Sequence, residues 1–243
     1  MYKRTVAFCL AACLTAPAFS GCTVPKYGPL SDEQVTLLQF EELVPGEELA
    51  VVETTAGSFT MRFFPSEAPN AVENFTSLAK QGFYDGKSVY AIAYGGKEEI
   101  PVSFLSGSTD GGVSGKSVFG GESFAAEIST NLWPFSGAVA AISGQKGRAD
   151  SRFFVTADAE VTDALAKEME QNGYPPKVVE KFKEVGGVPQ YALNYAIFAQ
   201  VVDGMDVVRE ILQTPCDEDG IPTEEVSILT ITFEKYSGET VLK

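Results

Sequence analysis

The side chains that most often carry catalysis are scarce in this chain. Histidine is absent from all 243 residues. That excludes a His-based triad, a His-ligated metal site and imidazole acid–base chemistry. Four cysteines, Cys9, Cys13, Cys22 and Cys216, are too few for a disulfide framework. No pair of carboxylates has a spacing that demands glycosidase or protease chemistry. Asp217-Glu218-Asp219 could hold a calcium ion loosely, but such a run is read first as a solvated turn. The glycines around Gly111-Gly112 and Gly120-Gly121 do not form a phosphate loop with Lys-Ser/Thr at the required spacing. No metal and no cofactor are therefore expected. The 18 basic residues face 33 acidic ones, a net charge of -15. A net anion of this size has no electrostatic reason to seek nucleic acid or an anionic membrane surface. Hydrophobic residues at 44% and charged residues at 21% describe a folded domain.

The N-terminus reads as an address. Lys3 and Arg4 precede an apolar run from Thr5 to Phe19. That run is shorter than the ~20 residues a membrane span needs and fits the core of a secretory signal. It ends in Phe19-Ser20-Gly21-Cys22, which resembles a bacterial lipobox with Phe19 where leucine is usual. Residues 1–21 are expected as a lipoprotein signal peptide and Cys22 as the acylated residue. The alternative is ordinary secretion with Cys22 as a bystander. The expected location is outside the cell, anchored by Cys22 to the outer face of the bacterial membrane. Cys9 and Cys13 would leave with the signal, and Cys216 would stand alone. Residues 22–46, with Pro25, Gly28, Pro29, Pro45 and Gly46, are expected as a tether.

The body alternates short apolar runs with turn residues. Leu49–Glu53 and Ser58–Phe64 around Thr55-Ala56-Gly57 predict a hairpin. Val72, Phe75, Leu78 and Ala79 predict a helix over 67–80, with Pro69 early and Gly82 past its end. Short strands are predicted at 102–105, 137–143, 152–156, 197–202 and 229–233, and a helix at 205–212. Residues 160–187 predict two helices, the second presenting Val178, Val179, Phe182 and Val185 on one side. Many short strands with a few helices predict an antiparallel barrel or sandwich with helices at its ends.

Several separate motifs sharpen that class. Pro65-Ser66-Glu67-Ala68-Pro69-Asn70-Ala71-Val72-Glu73-Asn74-Phe75, followed by Gly82-Phe83-Tyr84-Asp85-Gly86, closely resembles the cyclophilins. Val118-Phe119-Gly120-Gly121-Glu122-Ser123-Phe124 with Glu127 is similar to a second family stretch. Ser151-Arg152-Phe153-Phe154-Val155-Thr156 and Val202-Asp203-Gly204-Met205-Asp206-Val207-Val208 are similar to two more. The resemblance is collinear. It implies a mainly β fold, a closed antiparallel eight-stranded β-barrel capped by two helices. Here it would span 47–236 with a helical insertion at 160–187 and a tail at 237–243. It also implies peptidyl-prolyl cis–trans isomerisation, on proline-containing segments of exported proteins, by a monomer.

The family's active-site residues are mostly replaced. Its "FHR" element corresponds to Val89-Tyr90-Ala91, which puts Ala91 at the catalytic arginine. Its "FMIQGGD" element becomes Phe104 to Asp110, keeping Phe104 and losing the glutamine to Gly107. Ala141 stands where a pocket methionine is expected. The "SQFF" strand keeps Phe154 and has Arg152 for glutamine. A tryptophan and a histidine become Gln190 and Tyr195. The resemblance thus implies a peptide depression lined by Phe104, Phe154, Tyr191 and Tyr195, widened at Ala91 and Ala141. Tyr195 could donate to a peptide carbonyl. Arg152 is the candidate replacement for the missing donor; the alternative is that it only pairs with Asp150. Weak isomerase activity is expected, or else a non-catalytic peptide- or protein-binding lipoprotein.

Overall fold

The computed structural model describes residues 24–26, 28, 30–95 and 99–238. The expected signal peptide 1–21 and the expected acylation site Cys22 lie outside the described residues. Strands β1 (Glu48–Thr54) and β2 (Gly57–Phe63) form the predicted hairpin. Thr54 locks its turn: the hydroxyl donates to the Gly57 carbonyl at 2.7 Å and accepts from the Ala56 N–H at 3.1 Å. Helix α1 (Pro69–Lys80) follows, with Ala71, Phe75, Leu78 and Ala79 buried. Ala68 cannot cap it. Glu127, far along the chain, does so instead, accepting from the N–H groups of Asn70 at 3.2 Å and Ala71 at 3.1 Å. A carboxylate there satisfies orphan donors and faces the positive end of the helix dipole.

The chain continues through β3 (Ala91–Gly95), β4 (Ile100–Ser106), β5 (Phe124–Ala125), β6 (Ala138–Ile142), β7 (Arg148–Ala149) and β8 (Arg152–Thr156). Helices α2 (Asp163–Gln171) and α3 (Pro176–Val185) come next. Then follow β9 (Ala196–Asp203), α4 (Met205–Leu212) and β10 (Ile228–Lys235). Eight strands make one antiparallel sheet in the order β10-β1-β2-β9-β6-β8-β4-β3, and β5 pairs with β7 separately. One face of the sheet packs on α1 and α4, joining Phe59, Met61, Phe104, Val139, Phe153 and Phe198 to Phe75, Leu78, Val208 and Ile211.

The expected barrel is not closed by a continuous ladder. The edge strands are β10 and β3. They approach through single contacts: a Ser88–Ser227 bridge, Val89 N–H to the Val226 carbonyl at 2.8 Å, and Ile92 N–H to the Gly220 carbonyl at 2.8 Å. The physical reason lies in residues 213–227. Pro215 and Pro222 lack the N–H a ladder needs, and the segment folds into turns.

Of the expected tether, residues 22–46, the described part lies docked on the domain. Val24 and Val35 are buried against Trp133, Phe135 and the inner faces of α2 and α3, including Met169, Val178 and Phe182. The Lys177 ammonium donates to the carbonyls of Asp32 and Val35. Gln39 is buried; its amide donates to the Trp133 carbonyl at 2.9 Å and accepts from the Trp133 N–H at 2.7 Å. The insertion 160–187 and the N-terminal segment therefore build a second small core together. Neither could bury its apolar side alone. Gln39→Ala removes three buried hydrogen bonds, to the Trp133 carbonyl, the Trp133 N–H and the Gln200 side chain, so unfolding in urea should show a loss of about 1–3 kcal/mol. An unchanged midpoint would mean that the segment is not docked in solution.

Candidate functional site

A strand sends successive side chains to opposite faces. The face of β4, β6 and β8 turned away from the helices carries Ser103, Leu105, Ala138, Ala140, Ile142, Arg152 and Phe154. The register agrees: Leu105 and Ala140 both stand opposite Phe154, and Ile142 stands opposite Arg152. A 3-10 turn at Pro189–Tyr191 brings the following loop over this face. The Tyr174 hydroxyl holds the turn from below by donating to the Pro189 carbonyl at 3.1 Å. Leu193 then takes a left-handed conformation, φ 61°, which reverses the chain between Tyr191 and Tyr195. Both rings return onto Phe154. The three form an edge-to-face trio with centroids 5.1 Å, 5.0 Å and 5.5 Å apart. Such pairs add about 0.5–1.5 kcal/mol beyond burial and fix ring orientation.

Beside this trio lies a cavity of about 320 Å³. Phe154, Tyr191 and Tyr195 line it, as the sequence suggests. Leu105, Ile142, Tyr90 and Ala93 complete its apolar wall. Phe104 and Ala141 do not reach it. They point the other way, Phe104 against Phe59 at 6.4 Å and Ala141 into the helix-covered core. A one-residue slip along a strand exchanges the two faces, and both assignments slipped by one. Leu105 and Ile142 are the residues missed; their pairing with Phe154 and Arg152 is the signal that marks them. Ala91 pairs with Leu105 across β3 and β4 and belongs to the same apolar cluster as Phe154, but it is not among the residues that line the cavity.

Arg152 reaches the cavity wall with its guanidinium already occupied. Its Nε and Nη2 donate to the two Asp150 oxygens at 3.0 Å and 2.7 Å. Its Nη1 donates to the carbonyls of Gly112 and Val113, both at 2.9 Å. Burial opposes its charge, but the hydrogen bonds and charge of Asp150 outweigh this and raise its pKa. Gly115 allows the arrangement, because a Cβ there would sit 1.9 Å from the Asp150 carboxylate. The expected alternative, pairing with Asp150, is the geometry seen. Four of five donors are committed to the protein. Tyr90 is the neighbour at the other side. Its hydroxyl is buried with no hydrogen-bond partner among the described residues, and burial pushes its pKa well above the usual phenol range. An orphaned hydroxyl costs about 1–3 kcal/mol.

Residues 49–233 match the family model described as cyclophilin type peptidyl-prolyl cis-trans isomerase/CLD. The chain belongs to the cyclophilin family. A candidate peptidyl-prolyl cis-trans isomerase of Staphylococcus aureus strain USA300 is 29% identical over 80% of this chain and 96% of its own length. Its counterpart in Staphylococcus epidermidis is 27% identical over the same shares. Among solved structures, a cyclophilin-type isomerase of Cryptosporidium parvum superposes with a TM-score of 0.59 at 21% identity. The match covers 77% of this chain and 98% of that one. The same isomerase solved in the presence of the dipeptide Ala-Pro gives a TM-score of 0.58. These likenesses support the fold. They leave the replaced positions of this cyclophilin to be read from its own geometry.

That geometry makes Arg152 a staple between β8 and the 108–115 loop. Removing one partner of a buried pair strands the other charge and costs about 3–5 kcal/mol. Arg152→Ala should therefore lower the stability of this cyclophilin by about 3 kcal/mol or more in urea unfolding. A loss below about 1 kcal/mol would show that the guanidinium is not committed to Asp150.

Proposed function

We propose that this cyclophilin binds proline-containing segments of exported proteins in the groove beside Phe154, Tyr191 and Tyr195, and isomerises the prolyl bond only weakly. The proposal includes a position at the outer face of the bacterial membrane, anchored through an acylated Cys22, as a monomer. Prolyl isomerisation needs neither nucleophile nor metal. The barrier of ~18–20 kcal/mol comes from amide resonance. An apolar pocket can hold the proline ring while the flanking amide twists. A donor aimed at the imide nitrogen favours the twisted state, and each 1.36 kcal/mol of such differential stabilisation is about tenfold in rate.

The single observation behind the reading is that the groove keeps its aromatic surface while the guanidinium of Arg152, the candidate replacement donor, is committed to the protein. Ala91 supplies no donor. Arg152 is held by Asp150, Gly112 and Val113. By analogy with oxyanion holes, one missing preorganised donor costs about 10²–10³ in rate. The second reading, a non-catalytic peptide-binding module, draws on the same occupied Arg152.

Exchange NMR on short Ala-Pro peptides separates the two, using protein that begins at residue 23 and keeps the docked segment. Chemical shifts should move at Tyr191 and Tyr195, with a small rise in exchange rate. Shifts without any rate change would favour the binding module. Neither shifts nor rate change would contradict both readings.

A further inference from the structure

The mouth of the groove is electrically unlike the rest of the chain. The protein carries 33 acidic and 18 basic residues, yet no carboxylate lines the cavity among the described residues, whereas Lys146, Arg148 and Arg152 do. Arg152 is neutralised by Asp150 at 2.7 Å. Lys146 and Arg148 have no ion-pair partner among the described residues. Lys146 sits on the tight turn between β6 and β7, and Arg148 opens β7 just after it. That turn is held by the Ser143 hydroxyl, which donates to the Gln145 carbonyl and accepts its N–H, each at 3.1 Å. Arg148 is also aimed: its Nε donates to the Ser123 hydroxyl at 2.7 Å, and its two terminal nitrogens make no hydrogen bond among the described residues. Lys146 is exposed at the crest of the turn.

From this rim we infer a substrate preference. We propose that Lys146 and Arg148 make the groove selective for prolyl segments with an Asp or Glu within two residues of the proline. The inference rests on the peptide-binding reading above. An extended segment advances about 3.3–3.6 Å per residue, so a residue one or two places from a ring seated on Phe154 can reach the rim. The net charge of the whole protein works in the opposite direction and would favour cationic peptides. At physiological ionic strength the Debye length is about 8 Å, which screens remote carboxylates but not a pair in contact. The local pair therefore decides the preference.

The test uses peptides with Glu, Ala or Lys placed immediately before and immediately after an Ala-Pro unit, titrated by NMR at physiological ionic strength. Affinity should rank Glu above Ala above Lys, with Glu tighter than Ala by about two- to tenfold, the size of one or two exposed ion pairs. The double variant Lys146→Glu, Arg148→Glu should reverse the order. Should that variant fail to fold, the ranking in the unaltered protein still decides. Equal affinities, or a Lys peptide binding best, overturn the preference while leaving peptide binding in place. If none of the three binds, the groove reading itself falls and the preference with it.

Discussion

Strands β4, β6 and β8 carry apolar side chains on both faces, and each face must be covered. Buried apolar area contributes roughly 25 cal/mol per Å², so an uncovered face of three strands would leave much of the folding free energy unrealised. Helices α1 and α4 cover one face completely, over Phe104, Phe153 and Val139. The other face is covered by the loop bearing Tyr191 and Tyr195, with Leu38 of the N-terminal segment beside it, and by the 108–115 loop held to Arg152. What that cover leaves open, above Phe154, Leu105 and Ile142, is the groove. Fold and site thus follow from one asymmetry in how the two faces are closed.

The same asymmetry explains what could be read from the sequence. The hairpin at Thr54, the helix at Pro69–Lys80 and the strand at Arg152–Thr156 announce themselves through local turn chemistry and periodicity. Phe154, Tyr191 and Tyr195 were legible because each lies in or beside a motif shared with the family. Phe104 and Ala141 were misplaced by one residue because β4 and β6 are apolar on both faces. Their pattern does not say which side looks at the helices, and only the pairing of Leu105 and Ala140 with Phe154 does. The 22–46 segment read as a spacer because its proline and glycine content is that of a linker. Its anchors, Val24, Val35 and Gln39, are single residues whose partners lie about a hundred positions away.

The arginine account turns on commitment, not on distance. A guanidinium has five donors in a fixed fork. In Arg152 the fork closes a carboxylate and two loop carbonyls, so the residue contributes rigidity to the groove wall and little to a reacting peptide. Ala91 is the complementary loss. The position retains its backbone place on β3, opposite Leu105, but has no polar atom on its side chain. On the proposed reading, a groove that keeps its aromatic floor and gives up its donor would hold a prolyl segment better than it would turn it over. Lys146 and Arg148 would then, as proposed, choose among such segments.

The most direct test is a crystal structure of the protein soaked with a short Ala-Pro peptide. The proline ring should lie against Phe154 between Tyr191 and Leu105, with Arg152 still bound to Asp150. Peptide density elsewhere on the molecule, or an Arg152 released from Asp150 and donating to the peptide, would contradict the central claim.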